Sequence, residues 1–477
     1  MRKSVLLLAF AVSTCVQAHA QQVVNFPAAD LVLGQTNFTS GNAAITPTAS
    51  NLGEMSAVII DPTSGKVFVA DTGNSRVLRY PDKDTLANGA AAEYVFGQAN
   101  FTSALSSDPP SATSTNSPIG LALDGSGNLW VSDTDNNRVL MFSSAVTRVD
   151  VLPAATKVLG QAGFVTRNAA SPPSASSMNA PMGLHIDDSG DLWVADSTNR
   201  RVLRFDNAVG LANGAAAGGV LGQGSFVTNT SGSGAGAFAD PVAVTVDGTG
   251  TLWVADRSNN RVSGFPLAGS AANGAAATRV LGQSSFATVT AGLSASRFDG
   301  PSGVFADANV LWVLDQSNHR ALRFAGLGGI ANGGAASTVV GQPDFTSKDT
   351  TVNARRLESP FVGLFLDLSG SLWVSDLSHN RVLRFNPGIE ERPTVTVRGR
   401  TRFSTGRGSV LLRGRASAGV SIDRVIVQNQ TVPFFARGTE KWKVRIRLVD
   451  GRNLLRVFAI DENEVRSRPL RVVVTRL

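Results

Sequence analysis

Apolar and polar positions alternate along this chain in blocks of about five residues, the spacing of short strands and not of helices. Residues 128–142 read NLWVSDTDNNRVLMF and residues 191–205 read DLWVADSTNRRVLRF. Each is an apolar strand ending in aspartate, a tight turn, and a second apolar strand opened by arginine. The pattern returns six times, with its aspartates at Asp71, Asp133, Asp196, Asp256, Asp315 and Asp376 and its arginines at Arg76, Arg138, Arg201, Arg261, Arg320 and Arg381, a period of about 61 residues. Strand units repeating at that interval predict the blades of a closed ring.

Each unit predicts four strands: one ending in aspartate (GLALD, GLHID), a turn such as GSGN, the two signature strands, and a segment ending in VLGQ. The closing motif Gly-Gln-x-x-Phe occurs at Gly34, Gly97, Gly160, Gly222, Gly282 and Gly341. Its first copy precedes any complete unit, and none follows residues 381–385. The N-terminal strand is therefore expected to complete the last blade, which removes an open sheet edge. Trp130, Trp193, Trp253, Trp312 and Trp373, with Phe68 in the first unit, share one place in the second strand and are expected to be buried between blades.

The run P-x-G-x-x-x-D-x-x-G-x-L-W-V-A/S-D-x-x-N-x-R-V-L-x-F resembles NHL repeats, a family that forms six-bladed β-propellers. The resemblance spans roughly residues 21–387 and implies an all-β propeller closed by its N-terminal strand. These repeats are longer than the family's usual unit. The excess lies in Ser/Thr/Ala-rich inserts after Gly-Gln-x-x-Phe, which join the outer strand of one blade to the inner strand of the next and so decorate one face. Residues 388–393 read as a linker, and seven short strands follow, an arrangement that resembles a bacterial immunoglobulin-like β-sandwich over residues 388–477.

Arg2 and Lys3, an apolar run over residues 5–16 and Ala18-His19-Ala20 have the order of a secretory leader over residues 1–20, with cleavage expected after about Ala20. A secreted or periplasmic protein is expected. Cys15, the only cysteine, lies in that run, so a packed core and not disulfides must supply stability. No other apolar stretch approaches the roughly 20 residues of a membrane span. The net charge of +7 hides an asymmetry: residues 388–477 hold 19 Lys+Arg against 8 Asp+Glu, and with the leader's two cations set aside the ring is left at −6.

The blade itself accounts for the repeated Asp-x-x-Asn-x-Arg turn, in which Asp caps backbone donors and Arg closes an ion pair. His319 and His379 are read as variable positions of this turn, one in each, and no ligand cluster is expected from them. Two positions before each inner-strand aspartate runs a column of Ile59, Ala122, His185, Thr245, Phe305 and Phe365, expected to face the channel. Lactonases and lyases of similar architecture rely on converging Glu, Asp, Asn and His ligands for calcium or zinc. One imidazole and one hydroxyl do not make that set, so no cofactor is expected and calcium at the channel lacks support. His185 is expected to be a packed, hydrogen-bonded histidine.

Just before the inner strands polar residues recur at Glu54, Asn116, Asn179, Asp240, Asp299 and Glu358. They read either as local caps or as an acidic and amide-lined channel mouth, and with His185 they form the candidate ligand site. In the tail, Arg413, Arg415, Lys443, Arg445 and Arg447 alternate with apolar residues and form a candidate face for an anionic partner. No Gly-x-Ser-x-Gly elbow, phosphate loop or His-Glu-x-x-His occurs. The expectation is an exported, non-catalytic binding or scaffold protein. A protein or glycan partner would sit on the insert-bearing face, and an anionic envelope polymer at the basic tail. The alternative is a propeller lyase or lactonase with a metal at the channel, using the rim carboxylates and His185. Nucleic acid is disfavoured by the leader and by the ring's acidity.

Overall fold

The structure, a computed structural model, describes residues 25–42, 46–266, 268–307 and 309–386, and in the tail 394–398, 402–406, 409–417, 422–428, 433–437, 441–448, 450–461 and 470–477. The leader over residues 1–20 and the linker at 388–393 lie outside these. Six four-stranded antiparallel sheets form the blades of a propeller. Blade 2 is typical: Pro118–Leu123 is innermost, followed outward by Leu129–Asp133, Arg138–Phe142 and Lys157–Leu159. The other inner strands are Val58–Ile60 in blade 1, Pro181–Ile186 in blade 3, Pro241–Val246 in blade 4, Pro301–Asp307 in blade 5 and Leu364–Leu366 in blade 6.

The ring closes as the phase of the motif predicts. Leu31–Leu33 pairs antiparallel with Arg381–Phe385 as the fourth strand of blade 6, in the register Leu31 to Arg384 and Leu33 to Val382. An ion pair of 2.6 Å between Arg384 and Asp30 reinforces the seam. Leu31 and Leu33 then pack with Trp373 and Val382 of blade 6 and with Val67, Val69 and Tyr80 of blade 1 in one apolar cluster.

That cluster shows where the core lies: between blades and not within them. Phe68 and Phe96 of blade 1 likewise join Leu129, Val131 and Phe142 of blade 2. The five signature tryptophans and Phe68 are each at most 2% exposed. Burying a ring of this size is worth a few kcal/mol, roughly 25 cal/mol per Å² of apolar surface. Four of the indoles also donate to the aspartate that ends the inner strand of their blade, as Trp193 does to Asp187 at 2.9 Å.

Among the described residues the tail contains eight strands in two sheets. Thr394–Val397, Ser409–Ser417 and Lys441–Arg447 form one; Arg402–Thr405, Leu470–Arg476, Gly451–Asp461, Ile422–Gln428 and Pro433–Arg437 form the other. Sequence pattern predicts seven of these. The additional strand, Arg402–Thr405, has a single large apolar residue, Phe403, too little to show alternation, and is held by parallel pairing to Leu470–Arg476. Leu412 and Ile446 of the first sheet cluster with Leu455, Val457, Val472 and Val474 of the second.

Candidate functional site

The signature turn is a latch built from motifs far apart in sequence. In blade 3, Arg201 Nε donates to Asp196 Oδ2 at 2.7 Å, its Nη1 to the carbonyl of Phe226 at 2.5 Å, and its Nη2 to the carbonyls of Ser174 and Ser177. Phe226 belongs to Gly-Gln-x-x-Phe, and the same bond runs from Arg76 to Phe101, Arg138 to Phe164, Arg320 to Phe345 and Arg381 to Phe38. The glutamine of that motif donates to the carbonyl of the left-handed turn residue, as Gln161 does to Asn137 at 3.0 Å. Its glycine takes φ between 80° and 90° in all six copies, a conformation that a side chain would strain. All six signature arginines and aspartates are fully buried. Burial pushes the carboxyls of Asp71, Asp133, Asp196 and Asp256 up, and that of Asp315 up to about 6, while the arginines pull the other way.

Each aspartate caps a backbone donor, though not one within its own turn. Asp133 Oδ1 accepts from Asn116 N at 2.6 Å, and Asp196, Asp256, Asp315 and Asp376 accept likewise from the backbone of Asn179, Asp240, Asp299 and Glu358. The recurrence of polar residues there is thus tied to a backbone cap at the entrance to the inner strand. Glu54 is out of register with this column: Gly53 makes the bond to Asp71, and Glu54 takes the next position, with φ 51°. That next residue is latched to the preceding blade, Glu54 N to Asn380, Ala180 N to Asn137, Gly300 N to Asn260 and Ser359 N to His319.

The rim side chains have separate fates. Asp240 receives Arg257 Nε at 2.7 Å and Ser197 Oγ at 2.7 Å, and the same guanidinium lies 5.7 Å from the Phe361 ring of blade 6. Glu358 pairs with His379 at 3.0 Å. Glu54, Asn116, Asn179 and Asp299 contribute their backbone to the latch and leave their side chains partly or fully exposed. None of the six lines the central cavity.

That cavity holds about 240 Å³ and is walled by the inner strands. All members of the column Ile59, Ala122, His185, Thr245, Phe305 and Phe365 face it. At Gly120 and Gly363 neighbouring inner strands approach so closely that a Cβ would run into the carbonyls of Met182 and Ser56. Contrary to expectation, His185 has no hydrogen-bond partner among the described residues. Burial pushes its imidazole down to about 4, against the pull of Asp187 and Asp188.

Blade 6 departs from the repeat in a way that sequence reading misses. Its turn reads Asp-Leu-Ser-His-Asn-Arg, so His379 stands in the slot that asparagine fills in the other five blades and is not in a variable position. His379 Nδ1 lies 2.9 Å from Asp376 Oδ2 and Nε2 lies 3.0 Å from Glu358 Oε2. His319 of blade 5 accepts from Ser359 N through Nδ1; burial pushes its imidazole down, as do Lys348 and His379, against the pull of Glu358 and Asp376. The two histidines therefore share one carboxylate neighbourhood. Aligning the turns on Asp and Arg, and not on the nearest Asn, exposes the substitution. Among the described residues no group of three or more His, Cys, Asp or Glu is placed to hold a metal ion.

In the tail, Arg413 stands directly opposite Lys443 and Arg415 opposite Lys441, with Arg445 and Arg447 further along the same strand. All are exposed, while Leu412 and Ile446 between them are buried. Arg413, Arg415, Lys443, Arg445 and Arg447 form no ion pair among the described residues. Arg413, Arg415, Lys441 and Lys443 border a groove of about 730 Å³ with Thr396 and Arg398.

Residues 115–142 and 238–265 match the NHL repeat. The chain carries NHL repeats and folds as a six-bladed β-propeller. No curated protein matches it. Among solved structures it is similar to a streptogramin B lyase (13% identity, TM-score 0.41, covering 72% of this chain and 95% of that one). It is also similar to virginiamycin B lyase from Staphylococcus aureus (12%, 0.39, 69% and 79%) and to hydrazine synthase of Kuenenia stuttgartiensis (13%, 0.42, 74% and 81%). No helix among the described residues is long and apolar enough to cross a membrane.

Proposed function

We propose that this is an exported, non-catalytic binding or scaffold protein, in which the insert-bearing face of the propeller takes a protein or glycan partner and a basic immunoglobulin-like tail over residues 388–477 attaches it to an anionic envelope polymer. The observation that carries the reading is the opposition of like charges in the tail, Arg413 to Lys443 and Arg415 to Lys441. Like charges directly opposite on a sheet destabilise it, so an arrangement of this kind is favourable when a polyanion lies across it. On the ring, Leu105, Val165, Val227 and Val289, between 40% and 81% exposed, follow Gly-Gln-x-x-Phe in four consecutive inserts and supply an apolar arc for a partner.

Co-sedimentation with isolated envelope material tests the attachment. Full-length protein should pellet, and removal of residues 388–477 should lower the bound fraction, most strongly at low salt where exposed charges are least screened. Equal retention of the two would overturn it.

A second reading, lyase or lactonase chemistry on the same face, is favoured by one arrangement: partly exposed Glu358 lies 3.0 Å from His379 Nε2, and buried Asp376 orients that imidazole through Nδ1, so the Glu358 carboxylate has the geometry of a positioned general base. Turnover of a lactone panel that disappears in His379→Asn, the residue of the other five blades, would support it. No turnover by the parent protein would dismiss it.

A further inference from the structure

None of the residues assigned to either surface above lines the central cavity, and a ligand there is independent of either. Its volume, about 240 Å³, exceeds the roughly 150 Å³ at which an apolar cavity admits benzene. Of the side chains in its wall only His185 and Thr245 are polar, and His185 alone can ionise. The Thr245 hydroxyl oxygen already accepts from Ala306 N at 3.2 Å. His185, half-buried and open to the cavity, has no hydrogen-bond partner among the described residues, so its ring nitrogens are free to meet a ligand.

The ring geometry indicates which chemistry would meet it. With six blades, His185 of blade 3 faces Phe365 of blade 6 across the axis, and Phe365 stands beside Phe305 of blade 5 with ring centroids 5.1 Å apart and planes inclined by 59°. Ala122 of blade 2, next to His185, leaves the space a larger residue would fill. We propose that the channel is a binding site for a small planar phenol, its ring against Phe305 and Phe365 and its hydroxyl donating to a ring nitrogen of His185. Burial keeps the imidazole neutral at pH 7, with Asp187 and Asp188 as the charged groups acting on it, so one nitrogen is an acceptor. The wall holds no cation to balance an anionic ligand, which favours a neutral one.

The test is calorimetric titration of the full chain with p-cresol and with toluene at pH 7. We expect saturable one-to-one binding of p-cresol, and toluene binding weaker by roughly fivefold, the factor for one net hydrogen bond. His185→Phe should weaken p-cresol by about the same factor, and Ala122→Trp, which fills the channel and keeps His185, should abolish binding. Three results would overturn the proposal: no saturable binding at millimolar p-cresol, unchanged binding in Ala122→Trp, or equal affinity for the two ligands. The comparison of ligands on the unaltered protein holds whether or not either variant folds.

Discussion

The ring and the tail use the same cation in opposite ways. Arg201 of the ring is fully buried and directs its guanidinium at Asp196 and at the carbonyls of Ser174, Ser177 and Phe226. Arg413 of the tail stands in solvent opposite another cation. The ring is acidic overall and yet has six buried signature arginines, each with an aspartate beside it; Arg413, Arg415, Lys443, Arg445 and Arg447 of the tail form no ion pair among the described residues. Partners, and not charge counts, separate a buried structural arginine from one left open to solvent.

Opening the ring should have the largest effect. Deleting residues 25–36 removes the fourth strand of blade 6 and bares the Arg381–Phe385 edge, so the variant should aggregate in size-exclusion chromatography. A monomeric, cooperatively melting deletion variant would show that closure contributes little. Next come single buried groups. Arg201→Met strands Asp196 without its counter-charge and should cost about 3–5 kcal/mol in denaturant unfolding. Trp253→Ala, which empties an inter-blade position, should cost about 3–5 kcal/mol as well.

Acid should act on the ring through His185, which burial holds below the usual imidazole range. His185 binds its proton less readily in the folded state, about 4 against 6.5, so between those values the unfolded chain carries more protons. Stability should therefore rise with pH across that window and fall on acidification, and His185→Phe should flatten the profile of melting temperature against pH. The smallest effect is expected in the tail. Lys443→Glu replaces a repulsive cross-strand pair with an attractive one and should leave stability unchanged or raise it by about 0.2–1 kcal/mol. A loss as large as that of Arg201→Met would erase the distinction drawn between the two regions.

Much of the ring is legible in the sequence because its contacts repeat. Asp, Arg, Gln and Phe recur at fixed offsets, and from them follow the blade count, the closure by Leu31–Leu33 and the burial of the tryptophans. Features that do not repeat are harder to read. Glu54 falls one position out of register with the capped column, and in blade 4 Asp240 shares its cap with Ala239, differences of loop length that no local pattern marks. His379 is hidden by the adjacent Asn380, which mimics the repeat one residue late. His185 lacks the hydrogen bond expected of a packed histidine, since its surroundings come from several blades and no local pattern encodes them. The basic face of the tail is visible as alternation, but the pairing of Arg413 with Lys443 is a matter of register between strands about thirty residues apart.

The most direct test of the contrast is elution of the full-length protein from immobilised heparin in a salt gradient, beside a variant with Arg413, Arg415, Lys443 and Arg445 replaced by serine. The parent should be retained and the variant should elute at clearly lower salt with a melting temperature no lower than the parent's, because those exposed cations form no ion pair among the described residues and two of them stand opposed. Co-elution of the two proteins would contradict the assignment of the tail as the polyanion-binding region.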